Sequence, residues 1–165
     1  MKLARLFRHL FATRAVMRRH FNAATLAEIE AAIHDVESRH SGEIRFVVEA
    51  ALDVDELLAD IPPRAHALRV FSHARVWDTE ANNGVLIYVL LADRDVEILA
   101  DRGIASRVPP EEWETICREL EAHYRDARFA QGSVAGIRSV GRLLARHFPG
   151  QGGDANELSD QPVLL

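Results

Sequence analysis

Carboxylate and amide side chains alternate in a short polar stretch just ahead of the most apolar segment of the chain. Asp78, Glu80 and Asn82 place side-chain oxygens at the first, third and fifth positions, as a calcium-binding EF-hand loop does. Gly84 then falls at the seventh position instead of the sixth, and Val89 occupies the place of the bidentate glutamate, which excludes an EF-hand. Two interpretations stay open: a loop with calcium-like spacing, or a solvated acidic turn before a strand.

The strands predicted around this stretch decide which other polar groups lie near it. Residues 85–91 form a nearly unbroken apolar run, typical of a strand that is buried on both faces. Residues 43–49 alternate and predict an earlier strand, while 96–100 predict a return strand after a short turn. A helix predicted between the first two strands implies a right-handed crossover and parallel pairing. The third strand should pair antiparallel with the second, because the connecting turn is short.

This topology gathers oxygen-bearing side chains at two edges of the sheet. The candidate metal ligands at the first edge are Glu43, Asp78, Glu80, Asn82, Asn83 and Asp101. A secondary acidic edge at the opposite end comprises Asp53, Asp55, Asp93 and Asp95. Such groups suit a hard cation, Ca²⁺ or Mg²⁺, and paired carboxylates could also serve acid–base chemistry or metal-dependent phosphate hydrolysis. No nucleophile accompanies them in the sequence, so we assign no catalytic residue.

Helices are predicted by their boundary residues and apolar periodicity. A capping box at Thr25–Glu28 starts one helix, and proline pairs precede two others, at 62–63 and 109–110. Cys117 lies on the apolar face of the helix after the second pair, where it is expected to be a buried small hydrophobe. A single cysteine and no recognisable secretory signal predict a cytoplasmic protein.

The amino-terminal segment differs in charge from the rest of the chain. Residues 1–20 contain six basic residues and no acidic one, whereas the other 145 residues carry 14 basic and 25 acidic residues, a net charge of −11. An acidic body argues against nucleic acid as a partner.

We predict that residues 1–21 form one basic amphipathic helix. Its apolar stripe consists of Leu3, Leu6, Phe7, Leu10 and Phe11. This helix either docks on an anionic membrane surface or a partner, or packs its stripe on the domain with its basic residues in water. At the other end, the polar segment 151–165 is predicted to be a disordered tail.

Three segments resemble the TPM domain family, which is named after a thylakoid lumen protein, a photosystem II repair protein and a nematode receptor modulator. They are SGEIRFVV at 41–48, NNGVLIYVLLADRDVEILADRGI at 82–104 and FAQGSVAGIRSVGRLLARHFPG at 129–150. The resemblance covers residues 22–150 and is greatest to the short, soluble bacterial members. It implies an α/β fold, a three-layer α/β/α sandwich with a small mixed central sheet.

The resemblance also implies functions. Some family members bind divalent metal through acidic loop residues, acid phosphatase activity has been proposed for a plant member, and many members act near membranes or envelope complexes. The family's Asp-Asn-Gly before the central strand is Asn82-Asn83-Gly84 here, so an amide replaces one carboxylate. We therefore predict a non-enzymatic binding or accessory module with a calcium site and a protein partner, which the resemblance suggests is membrane-associated. The alternative is a metal-dependent acid phosphatase.

Overall fold

The computed structural model describes residues 3–150 and 156–165 of the chain. Helices flank a four-stranded mixed sheet in this structure. The elements in chain order are α1 (Leu3–Phe11), α2 (Arg14–His20), α3 (Ala23–Glu37), β1 (Glu43–Glu49), α4 (Val54–Leu58), α5 (Pro63–His73), β2 (Gly84–Leu90), β3 (Asp95–Ala100), α6 (Arg102–Ala105), α7 (Pro110–Arg125), α8 (Phe129–His147) and β4 (Val163–Leu164).

The sheet has the strand order β3-β2-β1-β4. β1 and β2 run parallel, with Glu43 opposite Gly84 at one end and Glu49 opposite Leu90 at the other. β2 and β3 form an antiparallel hairpin in which Val85 lies opposite Ala100. The predicted parallel pair and hairpin are therefore confirmed.

Alternation along the strands divides the buried side chains between two cores. Ile44 and Phe46 of β1 face one core, which α3, α7 and α8 cover, whereas Val47 faces the other. Leu86 and Tyr88 of β2 also face the second core, which α4 and α5 cover together with one residue of α1. Each large side chain buried in this way stabilises the fold by about 1.5–3 kcal/mol. The predicted three-layer α/β/α sandwich is confirmed.

The amino-terminal segment differs from the single helix predicted over residues 1–21. Its described part, from residue 3, forms two helices, because Thr13 caps a new helix by accepting a hydrogen bond from the Val16 N–H (3.3 Å). Met17 and Phe21 then enter the first core, so the globular domain begins before residue 22. The next helix, α3, begins at Ala23 with Asn22 as its cap, two residues before the predicted start.

The carboxyl-terminal segment also differs from its prediction. Residues 151–155 of the predicted disordered tail lie outside the described residues, but residues 156–165 are packed against the sheet. Val163 lies opposite Val47, and the Leu165 N–H donates to the Val48 carbonyl (2.9 Å). β1 would otherwise present an open edge of backbone donors and acceptors, and β4 fills it. Local composition predicted disorder and could not reveal this strand, because its pairing partner lies more than a hundred residues away.

None of the helices in the described ranges is long and apolar enough to cross a lipid bilayer.

Candidate functional site

We use the term loop edge for the loop at residues 78–84 together with the turn at 101–103. The two segments touch through their backbones: the Gly103 N–H donates to the Asn82 carbonyl (2.9 Å). A Cβ at Gly103 would lie 2.5 Å from that same oxygen, so only glycine allows this approach. Asn82 itself adopts a left-handed conformation with φ of 52°. The amide motif before β2 and the Asp-Arg-Gly motif after β3 thus form one structural unit.

Asn83 is fully buried in the loop edge, with 0% of its surface exposed. Its Nδ2 donates to the Ser41 carbonyl (2.7 Å), and its backbone N–H donates to the Thr79 hydroxyl (3.1 Å). Its Oδ1 is buried and has no hydrogen-bond partner among the described residues. An unsatisfied buried acceptor costs about 1–3 kcal/mol, so this oxygen is a position at which a ligand or water would be stabilising.

Asp101 is the second group with an unused buried oxygen. Its Oδ1 caps α6 by accepting from the Arg102 N–H (2.7 Å), while its Oδ2 has no partner in the described part of the chain. The residue is 9% exposed, and its backbone N–H donates to the Gly84 carbonyl (2.8 Å), next to Asn83 in the loop. Two orphaned oxygens therefore lie on adjoining segments, and their chemical type is that preferred by Ca²⁺ and Mg²⁺.

The other residues predicted at this edge are placed less favourably for a metal. Asp78 and Glu80 are exposed, and Asn82 Oδ1 already accepts from Arg102 Nε (2.7 Å). Across residues 3–150 and 156–165, no three His, Cys, Asp or Glu side chains are grouped as metal ligands.

Glu43 belongs instead to a group of carboxylates that we term the tail cluster: Glu37, Glu43, Glu157 and Asp160. The Leu158 N–H donates to Glu43 Oε2 (3.0 Å), and the Ile44 N–H donates to Glu37 Oε1 (2.7 Å). Both glutamates line a cavity of about 220 Å³. Glu37, Glu157 and Asp160 were not predicted as site residues. The tail was expected to be disordered, so nothing in the sequence indicated that its carboxylates lie beside β1.

Burial gives the tail cluster unusual protonation. The pKa of Glu37 is raised from 4.5 to about 9, chiefly by burial, with the nearby Glu43 and Asp160 carboxylates adding to the rise and the Ile44 hydrogen bond opposing it. Burial also raises the pKa of Glu43, again with the tail acids adding to the effect. Glu37 is thus expected to carry a proton at neutral pH.

We expect the free energy of unfolding to fall as the pH rises from about 4.5 towards 9 because of Glu37. The folded state binds this proton more tightly than the unfolded chain, so its contribution is complete below the lower pKa and is lost through the upper one. The slope from one such proton is at most about 1.4 kcal/mol per pH unit. Urea unfolding across this range should give a flatter profile for Glu37→Gln, whose side-chain oxygen can still accept from Ile44.

The control for this profile is Glu30→Gln, at an exposed position of the same helix. It should reproduce the wild-type pH dependence. A Glu37→Gln profile parallel to that of the wild type would show that Glu37 does not hold the proton.

The secondary acidic edge is not assembled as a cation site. Asp93 is already neutralised by Arg5 Nε (2.9 Å) and Arg8 (2.8 Å), and it lies 3.2 Å from His9 Nε2. Burial opposes ionisation of Asp93, but the hydrogen bonds from Arg8 and Arg5 hold its pKa below the ordinary value. Asp95 is half-buried, and burial of its carboxyl group raises its pKa to about 6.

The remaining two members of this edge, Asp53 and Asp55, are exposed at the start of α4. The prediction that this edge collects free carboxylates is therefore corrected: the basic leader supplies the counter-charges to Asp93.

A polar network on the second face of the sheet was also not singled out in the sequence. The Tyr88 hydroxyl donates to Glu49 (2.7 Å), and His66 lies between Glu49 (2.8 Å) and Glu56 (2.9 Å). The hydrogen bond to Glu49 raises the pKa of His66, with burial opposing it. This network connects α4 and α5 to the sheet, and its buried tyrosine and paired carboxylates indicate a structural role.

The profile of a family described as the TPM domain matches residues 17–143. The NMR structure of the BA42 protein from the psychrophilic bacterium Bizionia argentinensis is similar, with 32% identity, a TM-score of 0.74, and coverage of 87% of this chain and 94% of that chain.

Two further solved structures share the fold. The N-terminal domain of a protein from P. gingivalis has 20% identity and a TM-score of 0.61, with 78% of this chain and 81% of that chain covered. The N-terminal domain of the cg2496 protein from Corynebacterium glutamicum has 15% identity and a TM-score of 0.54, with 81% and 78% covered. Comparison with curated protein sequences gave no match.

Proposed function

The chain belongs to the TPM domain family, and from this premise we propose that it is a non-enzymatic binding or accessory module that takes up a divalent cation at the loop edge. The observation that carries the proposal is the pair of buried oxygens without partners, Asn83 Oδ1 and Asp101 Oδ2. Oxygens of this type are the ligands that Ca²⁺ and Mg²⁺ prefer, and a bound ion would supply positive charge between two loops that already touch.

Asp101 and Asn83 are the residues that would hold the ion. Asp78 and Glu80 are exposed carboxylates on the same loop and would add negative charge near it. Because Asn82 is an amide whose oxygen is engaged by Arg102, the site has one carboxylate fewer than its family pattern. Affinity rises with ligand charge, so we expect weak binding, with a Kd of about 10⁻⁴–10⁻³ M.

Calcium at millimolar concentration is expected to raise the melting temperature of the protein. A ligand that binds only the folded state stabilises that state by about 2.7 kcal/mol at a hundred times its Kd, and by about 0.4 kcal/mol at a concentration equal to its Kd. Differential scanning calorimetry with and without CaCl₂, and separately with MgCl₂, measures the shift.

Two matched variants locate this effect. Asp101→Asn retains an oxygen that can cap α6 but removes the charge, so the calcium shift should disappear without loss of the fold. Asp55→Asn, at the secondary acidic edge, should keep the shift. A melting temperature unaffected by calcium, or an equal shift in Asp101→Asn, would refute a cation site at the loop edge.

The non-enzymatic part of the proposal is supported by the state of the thiol. Cys117 is half-buried, and burial raises the pKa of the thiol to about 12, so it is not a thiolate nucleophile at neutral pH. The acid phosphatase alternative rests on family resemblance. Release of p-nitrophenol from its phosphate ester by purified wild type, lost in Asp101→Asn, would favour that alternative instead.

The partner and compartment remain predictions. A membrane-associated protein partner is suggested by the family resemblance, and the single cysteine fits a reducing compartment such as the cytoplasm.

A further inference from the structure

The first helix is packed on the domain by its polar side. His9 is buried, and its Nδ1 accepts a hydrogen bond from the Leu52 N–H (3.1 Å). Arg5 reaches Asp93 and also lies 3.5 Å from Asp60. Both interpretations of the sequence assumed that the apolar stripe is the side that binds something. In the structure the two sides of α1 differ: polar contacts hold one side to the domain, and most of the apolar stripe remains exposed to solvent.

Most of the apolar stripe faces solvent. Leu6 is the member that packs against the second core. Phe11 is 74% exposed, and the other exposed large apolar residues of the amino-terminal segment are Leu3, Phe7, Leu10 and Val16. Exposing such side chains to water does not stabilise the monomer, so a group of them on one short segment indicates an interaction surface.

The residues that flank α4 contact α1: the Leu52 N–H donates to His9 Nδ1, and Asp60 lies 3.5 Å from Arg5. Val54 and Leu58, four residues apart on α4, are both exposed.

The amino-terminal segment that carries these residues is also positively charged. Residues 1–27 contain no acidic residue, the first being Glu28. Arg14, Arg18 and Arg19 on α2 are exposed and form no ion pair in the described ranges. Exposed aromatic and leucine side chains next to unpaired arginines are typical of helices that lie in the interface of an anionic bilayer.

We propose that α1 and α2 form a docking surface for an anionic lipid bilayer, with α1 held parallel to the membrane by the Asp93 contacts and its stripe inserted among the lipids. Charge complementarity favours this occupant over a second copy of the chain. A two-fold symmetric dimer through this surface would bring the arginines of both copies together, and like charges repel. The acidic body, with its net charge of −11 outside residues 1–20, would at the same time be kept away from the lipid headgroups.

Sedimentation with vesicles tests the proposal on the full chain. The protein should sediment with vesicles of equimolar phosphatidylcholine and phosphatidylglycerol, and sediment at least about tenfold more weakly with phosphatidylcholine alone or in high salt. Phe7→Ser combined with Phe11→Ser should reduce binding to the anionic vesicles by at least about tenfold, because both rings lose their insertion energy. Replacing Arg14, Arg18 and Arg19 with glutamine should weaken binding and flatten its salt dependence.

The control is Trp77→Ser, a large apolar residue that is 50% exposed on the segment before β2, outside the two helices. It should leave vesicle binding unchanged, and circular dichroism should show that all variants remain folded. An intact protein that stays in the supernatant overturns the proposal. So does equal binding by the double phenylalanine variant, or a wild-type dimer that this variant converts to monomer without any vesicle binding.

Discussion

Replacing Phe21 with alanine is expected to lower the free energy of unfolding by about 3–5 kcal/mol, the range for deleting a large aromatic side chain from a packed core. Phe21 is 1% exposed. Its ring lies 5.5 Å from that of Phe129 and 6.2 Å from that of Tyr124, both in edge-on arrangements that add to the energy of burial. These contacts join the amino-terminal segment to α7 and α8, so the loss should appear in the global unfolding transition.

Phe11→Ala is the matched control for Phe21→Ala. The same side chain is deleted ten residues earlier, but at a position that faces solvent, so the change should stay within about 0.5 kcal/mol. Urea denaturation followed by circular dichroism measures both variants. Equal effects of the two substitutions would contradict the packing of Phe21, and with it the conclusion that the domain begins before residue 22.

Replacing Asp93 with alanine is expected to lower the free energy of unfolding by about 2–3 kcal/mol, the upper range for hydrogen bonds to charged groups, and to release α1 from the domain. One carboxylate pairs with Arg5 and Arg8 and lies beside His9 Nε2, and its side chain is only 9% exposed while that of Arg5 is 17% exposed. Removing one partner of a largely buried ion pair leaves the other charge without compensation, which costs more than the pair contributed. Hydrogen exchange measured by NMR should show faster exchange of the α1 amides in this variant.

The pH dependence of the wild type provides a second measurement of the Asp93 contacts. The pKa of Asp93 is lower in the folded state than its ordinary 3.8, so its stabilisation is present above that value and is lost as the pH falls below it.

The control for Asp93→Ala is Asp55→Ala, at an exposed position of α4, which should change stability by less than about 0.5 kcal/mol. Unchanged protection of the α1 amides in Asp93→Ala would show that other contacts hold the helix.

Much of the fold could be predicted from local sequence. The apolar run at 85–91 and the alternating residues at 43–49 are strands because their side-chain patterns match a period of two. The proline pairs mark the starts of α5 and α7, since proline is tolerated in the first turn of a helix. The loop edge was likewise predictable in outline, because two strand ends that pair must bring their flanking residues together.

The details of the site were less predictable. That Asn83 and Asp101 each retain an unused oxygen, while Asn82 is engaged by Arg102, depends on side-chain directions at the loop edge that no spacing rule gives. Glu43 was placed correctly at the start of β1, but the acids around it come from α3 and from the end of the chain. Contacts between residues that are far apart in the sequence depend on tertiary packing and not on the local sequence pattern.

By itself, the sequence determined the order and pairing of the three main strands, the starts of α5 and α7, the charge asymmetry and the family. These follow from periodicity, turn residues and composition, which act over a few neighbouring residues. Only the tertiary structure decided that the last residues add a strand to β1 and that α1 turns its apolar stripe outward. The open edge of β1 binds the last residues, and the buried carboxylate of Asp93 binds the arginines of α1. Each of these features lies far along the chain from the segment that it positions.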